Sequence, residues 1–206
     1  MCALKSSVAR LRGLARLEKA RAACSQAPKT CCHYIMLSDE PVAVHNAPMR
    51  AGENLTAYTI GYEGMTIEAF IASLRAQRIA HLVDIREVAL SRKKGFSKTA
   101  LSEHLERVGI RYSHVRALGC PKPIRDQYRV DGNWGRYSRA FGAYLESQTA
   151  VLRELIRTMQ AERCSLMCFE ADYTLCHRSL VAHELGGIIV HLTARGPVRE
   201  ETVAVA

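Results

Sequence analysis

Between Cys168 and Leu180 the chain reads CFEADYTLCHRSL, a stretch that holds two cysteines, a glutamate, an aspartate, a histidine and an arginine. Three chemistries use such groups. Thiolates and imidazole hold soft metals, a thiol beside a base attacks carbonyl or phosphoryl centres, and carboxylates among arginines handle protons next to an anion.

The spacing speaks against a closed structural zinc site. Cys164, Cys168, Cys176 and His177 total four soft ligands, but there is no C-x2-C knuckle. Cys164 and Cys168 stand about 13 Å apart on an extended strand. Cys176 and His177, adjacent on a helix, project roughly 100° apart. No cofactor is therefore expected, and a divalent metal has no support in the spacing.

A thiol catalyst has a partial case. With Asp172 as the cap of the last helix, Cys176 sits in its first turn, where the dipole, His177 and Arg178 favour thiolate. LVDIR (82–86) resembles the strand of rhodanese-like domains. Those domains, like cysteine phosphatases, carry an arginine at fixed spacing after the cysteine. Here Thr174 stands six positions after Cys168, and CPKPIR, Cys120 to Arg125, is one residue short. Cys176 reads equally well as a small buried hydrophobe.

The third chemistry is anion binding. Free amides at the start of the last helix, with Arg86 and Arg178, can hold phosphate oxygens. SRKKGFSK adds Arg92, Lys93, Lys94 and Lys98, with Phe96 as a stacking surface and Ser97 as a helix cap. Glu63, Asp84 and Glu170 then serve either as ion-paired scaffolding or as bases for water or a sugar hydroxyl. WGRYSRAF (134–141) fits a nucleic-acid surface or simple packing.

The elements that must position these groups alternate between strand and helix. AYTIGY (57–62), AHLVDIR (80–86), RYSHV (111–115), SLMCFE (165–170) and GIIVHL (187–192) read as strands. Helices are expected behind the caps Thr66 and Ser97, over about 137–160, and over about 173–185. LGCPKPIRDQYRVDGNWG (118–135) reads as a long loop. The alternation predicts a single three-layer α/β domain over 55–206, with a mainly parallel sheet of about five strands. The candidate site residues then fall at strand C-terminal ends, the edge where such sheets bind ligands.

Composition narrows the partners. Across 206 residues the net charge is +9. Arg86 to Arg139 concentrates 13 Lys and Arg against 5 Asp and Glu, which favours an anionic partner or forms a solvated basic face. No apolar run approaches the ~18 residues that span a bilayer, so no membrane partner is expected. With no secretory signal pattern, the eight cysteines are expected to be reduced thiols in the cytoplasm. Residues 1–54 form a basic, poorly patterned extension. Its composition is compatible with a targeting peptide, a disordered arm, or residues translated from a start upstream of Met49.

TIGYEGMTIEAF, LVDIREVALSRKKGFSK, YSHVRALG and CFEADYTLCHR occur in that order and resemble the motifs of the DUF488 family, a bacterial and archaeal group of uncharacterised function. The resemblance spans about residues 57–190. It implies a compact α/β domain and places Tyr62, Glu63, Asp84, Arg86, Gly95, Phe96, Ser97, Glu170, Cys176, His177 and Arg178 at motif positions. Tyr173 stands where the family often has proline. The family name implies no reaction.

The leading expectation is an enzyme, a hydrolase or transferase, acting on a phosphate-bearing nucleotide or nucleic acid at the sheet edge. Glu170, Asp84, Cys176, His177 and Glu63 are its catalytic candidates. Tyr62, Arg86, Arg92, Lys93, Lys94, Phe96, Ser97 and Arg178 are its substrate-binding candidates. The alternatives are a non-catalytic nucleic-acid-binding module and a thiol-based redox or sulfur-transfer protein. Oligomeric state is left open.

Overall fold

The alternation of β-rich and helical segments folds as a mixed sheet of six strands with six helices, described by a computed structural model over residues 55–202. The extension read over residues 1–54 lies outside the described residues. The strands are β1 (Thr56–Gly61), β2 (His81–Asp84), β3 (Arg111–His114), β4 (Cys164–Cys168), β5 (Gly187–Thr193) and β6 (Gly196–Thr202). Their spatial order is β3-β2-β4-β1-β5-β6. All neighbouring pairs are parallel except β5 with β6. The expectation of about five strands is short by β6, whose polar GPVREET carries no apolar run.

The helices are α1 (Ile67–Ala76), α2 (Lys98–Glu106), α3 (Lys122–Asp131), α4 (Trp134–Glu146), α5 (Thr149–Ala161) and α6 (His177–Leu185). Successive strand residues point to opposite faces, so the sheet separates two cores. Ile60, Leu82 and Met167 join Phe70 and Leu74 of α1 and Leu101 and Leu105 of α2 on one side. Ala57, Val83 and Leu166 join Phe141 of α4, Leu152 of α5 and Val181 of α6 on the other. Every residue of β2 and β4 is buried, as central parallel strands require. No helix among the described residues is long and apolar enough to cross a membrane.

Three helix boundaries differ from the sequence expectation. The long loop contains α3, which starts behind Pro121 with Pro123 in its first turn and ends at left-handed Gly132 (φ 59°). The prolines and glycine that read as loop signals are the helix's own borders. The helix expected over 137–160 is broken at Ser147 and Gln148 into α4 and α5. The last helix starts at His177, and its cap is Cys176, not Asp172. Asp172 closes a local turn instead, accepting from the backbone and hydroxyl of Thr174. Thr66 caps α1 as expected, accepting from Ala69 N. Ser97 stands at the cap of α2 without a side-chain bond.

Candidate active site

Parallel pairing brings the ends of β1, β2 and β4 level. Gly61 lies opposite Cys168, and Asp84 lies opposite Met167 and His114. From Cys168 the chain leaves the sheet through a loop, residues 169–175, that three other residues pin down. Arg178, fully buried, donates from its two terminal nitrogens to the carbonyls of Glu170 and Ala171. Glu63 accepts from Ala171 N at 3.0 Å, and its own amide donates to Phe169 O. Gly61 gives the loop room: a Cβ there would stand 1.7 Å from the Glu170 carbonyl oxygen. Glu63 and Arg178 therefore hold the loop in place.

The pinned loop brings two thiols, a carboxylate and an imidazole together. Cys168 Sγ lies 2.7 Å from Glu170 Oε2 and 3.4 Å from His177 Nδ1. Cys176 Sγ lies 3.1 Å from the same Glu170 oxygen. Cys176 reaches this point because it is a cap with extended backbone (φ −127°, ψ 137°). The 100° divergence expected of neighbours on a helix does not apply to it. The distance argument does hold for Cys164, which sits at the opposite end of β4.

Burial and mutual charge set the protonation of the cluster. Burial raises the Cys168 thiol well above its ordinary range, and its hydrogen bond to Cys176 adds to this. Burial would raise Cys176 too, but bonds from Cys168 and His177 and the charges of His177 and Arg178 outweigh it and hold Cys176 well below. Glu170 is raised by burial first and then by the Cys176 charge. His177 is raised despite burial, because it bonds Cys176 and Ile85 O. Protons thus concentrate on Cys168, Glu170 and His177, and negative charge on Cys176.

A second buried network lies beside the first. Arg86 donates from Nε to Asp84 Oδ1 at 2.8 Å, and from Nη1 to Tyr62 Oη at 2.9 Å and Phe96 O at 3.0 Å. Tyr112 Oη donates to Asp84 Oδ2 at 2.6 Å. Burial opposes the Arg86 charge, but Asp84 outweighs it and raises the guanidinium further. Tyr62 stacks on Phe96 with ring centres 4.4 Å apart. Phe96 is fully buried, so its faces are taken by the core.

One cleft of about 490 Å³ opens over both networks. Cys168, Glu170 and His177 line its floor, and Tyr62, Arg86 and Phe169 one wall. Arg92, Arg125 and Arg129 bring cations, and Tyr128, Trp134 and Tyr137 bring rings. Of the residues expected at the site, Tyr62, Arg86, Arg92, Glu170 and His177 line this cleft, while Cys176 lies just behind Cys168. Asp84 is sealed behind Arg86. Lys93 bonds Tyr62 O, and Lys93, Lys94, Phe96, Ser97, Glu63 and Arg178 are not part of the lining.

A family model described as "Domain of unknown function DUF488" matches residues 66–185. The chain belongs to the DUF488 family. No curated protein and no solved structure shows a match. The DUF488 match takes in α1 through α6 and the whole cysteine–histidine–glutamate cluster, and begins just after Tyr62 and Glu63.

Within this DUF488 domain the cleft also uses residues that sequence reasoning did not single out as a site: Glu87, Cys120, Arg125, Tyr128 and Arg129. Arg125 pairs with Glu87, and Arg129 with Asp126 at 3.2 Å. Trp134 stacks on Tyr137 at 4.8 Å, and Tyr128 meets both rings. Burial raises the Cys120 thiol to about 11. A signal for this wall was present. Arg125, Tyr128 and Arg129 recur at helical spacing, on a segment that its prolines and glycine made look like loop.

Proposed function

We propose that this chain is an enzyme, a hydrolase or transferase, acting on a phosphate-bearing substrate of the nucleotide or nucleic-acid class in the cleft at the sheet edge. The observation that carries the reading is the juxtaposition within one cleft of cations, aromatic rings and a buried protonating cluster. Arg92 has no ion-pair partner among the described residues, and Arg125 and Arg129 share exposed or half-buried acids, so all three are available to phosphate oxygens. Trp134 and Tyr128 offer ring faces and edges to a base. Glu170, held protonated to higher pH than an ordinary carboxyl, serves as the acid that protonates a leaving oxygen. Arg86 and Arg178, expected as anion clamps, instead hold the wall and the loop, because their terminal nitrogens already donate to protein acceptors. The free thiols Cys120, Cys164, Cys168 and Cys176 fit a reducing cytoplasm.

A nucleophilic-thiol reading has less support. The thiols that line the cleft, Cys120 and Cys168, are both held protonated by burial, whereas the thiolate of Cys176 does not line it.

Calorimetric titration with nucleoside monophosphates and a short single-stranded oligonucleotide tests the reading. Arg92→Ala and Arg129→Ala are each expected to weaken binding by about 1.5–3 kcal/mol. Oligonucleotide affinity is expected to fall steeply with salt. Wild-type affinity in both variants, or a flat salt response, contradicts the assignment.

A further inference from the structure

We infer that Cys168, Cys176, His177 and Glu170 form a zinc-class metal site on the floor of the cleft. The inference does not depend on what the cleft binds. The four donor atoms lie within 4.8 Å of one another, and all belong to the end of β4, the pinned loop and the start of α6. Two sulfurs, one imidazole nitrogen and one carboxylate oxygen make a donor set that selects zinc over magnesium or calcium.

The sulfur–nitrogen distance within the cluster matches such an ion. A tetrahedral zinc with Zn–S of about 2.3 Å and Zn–N of about 2.0–2.1 Å places sulfur and nitrogen about 3.5 Å apart. Cys168 Sγ and His177 Nδ1 stand 3.4 Å apart. The sulfur–oxygen separations of 2.7 Å and 3.1 Å are shorter than that edge, as hydrogen bonds through a proton are. Replacing the protons by one divalent ion spreads those pairs while keeping the same four corners.

The imidazole is also oriented for ligation. His177 Nε2 stands 3.0 Å from Ile85 O. A carbonyl only accepts, so Nε2 keeps its hydrogen, and Nδ1, which stands against the thiols, is the nitrogen that gives up its proton to a metal. Ligating histidines are commonly fixed in this way by a backbone carbonyl. Cys168, Cys176 and His177 are all buried, while Glu170 is the partly exposed corner and lines the cleft. Three buried ligands with a carboxylate on the open side put the metal in reach of a molecule in the cleft; with the ion bound Glu170 is a ligand, so the acid role given to it above belongs to the metal-free protein. Binding is balanced by proton release: every hydrogen still carried by a ligand sulfur, by His177 Nδ1 or by the Glu170 carboxyl goes to solvent as the corresponding bond to the metal forms.

The other cluster of possible ligands differs. His81, Glu162 and Cys164 lie at the opposite end of β4. There Arg111 pairs with Glu162 and stands 3.1 Å from His81 Nδ1, so a cation already occupies the donors.

The test measures metal in the full-length protein as purified, then replaces it with cobalt(II) after chelator treatment. About one zinc per chain is expected, and cobalt should give a thiolate-to-metal charge-transfer band with tetrahedral visible bands, saturating at one equivalent. Cys168→Ser and Cys176→Ser should each lose about half of the charge-transfer intensity or more, and Cys164→Ser should keep it. If either serine variant fails to fold, the wild type decides: zinc should protect Cys168 and Cys176 from iodoacetamide, read by peptide mapping, and chelator should remove that protection. Cobalt binding without a charge-transfer band, no saturable binding, or alkylation indifferent to zinc overturns the site. Nucleotide titration of the same samples keeps the two readings apart, since lost nucleotide binding with the metal intact counts only against the substrate assignment.

Discussion

Replacing Asp84 with alanine is expected to destabilise the fold by about 3–5 kcal/mol, the cost of leaving a buried charge without its partner. Asp84 is fully buried, and it accepts from the Arg86 backbone, from two guanidinium nitrogens and from Tyr112. Its removal strands the Arg86 charge at 6% exposure. The remaining acceptors of Arg86, Tyr62 Oη and Phe96 O, are neutral and cannot balance it. Because Arg86 and Tyr62 form one wall of the cleft, ligand binding should fall together with stability. Asp84→Asn keeps the shape and part of the hydrogen bonding, so its loss should be smaller. Urea unfolding of the three proteins measures this, and a loss below about 1 kcal/mol for the alanine variant would mean that Asp84 is not what balances Arg86.

Gly61→Ala should be nearly as damaging, through space. The backbone at Gly61 needs no special dihedral; its α-carbon faces the pinned loop. A Cβ would stand 1.7 Å from Glu170 O, 2.7 Å from Glu170 C and 3.0 Å from Arg178 Nη1. Two of these are backbone atoms, and Arg178 holds the same carbonyl. Relief therefore means moving residues 169–175 away from β1, which breaks the Glu63 amide bond to Phe169 and opens the cluster. Overpacking of this severity costs about 3 kcal/mol. Thermal unfolding and cobalt titration of the variant should both report the change, and a variant with wild-type values of each would refute the crowding argument.

The fold could be read from sequence where local chemistry and burial agree. Leu166 to Cys168 are apolar in succession because β4 is covered on both faces, and Thr66 precedes an apolar repeat because it caps α1. Reading failed where the local signal was shared by two structures. Pro121, Pro123 and Gly132 mark a loop or the borders of a short helix, and only Ile124 and Tyr128 packing on the core distinguish the two. The break at Ser147 and Gln148 carries neither proline nor glycine. β6 is polar as suits an edge strand, paired on one side only among the described residues.

The site was readable in kind and less so in role. Strand-end placement pointed to Tyr62, Arg86, Glu170 and His177, which do line the cleft. Sequence says that an arginine is present, but not which acceptors occupy its donors. Arg86 and Arg178 are consumed by internal carbonyls, a carboxylate and a phenol, whereas Arg92 is left to the cleft. The meeting of Cys168 with Cys176 and His177 depends on where α6 begins. A shift of the cap from Asp172 to Cys176 turns two diverging side chains into a convergent pair.

A crystal structure grown with a nucleoside monophosphate decides whether the cleft holds an anionic nucleotide-class ligand over the cysteine–histidine–glutamate floor. Phosphate oxygens against Arg92, Arg125 or Arg129, with the base against Trp134 or Tyr128 and the reacting end toward Glu170, are the predicted result. A nucleotide bound at the opposite edge of the sheet, or on the outer surface with this cleft unoccupied, would contradict it.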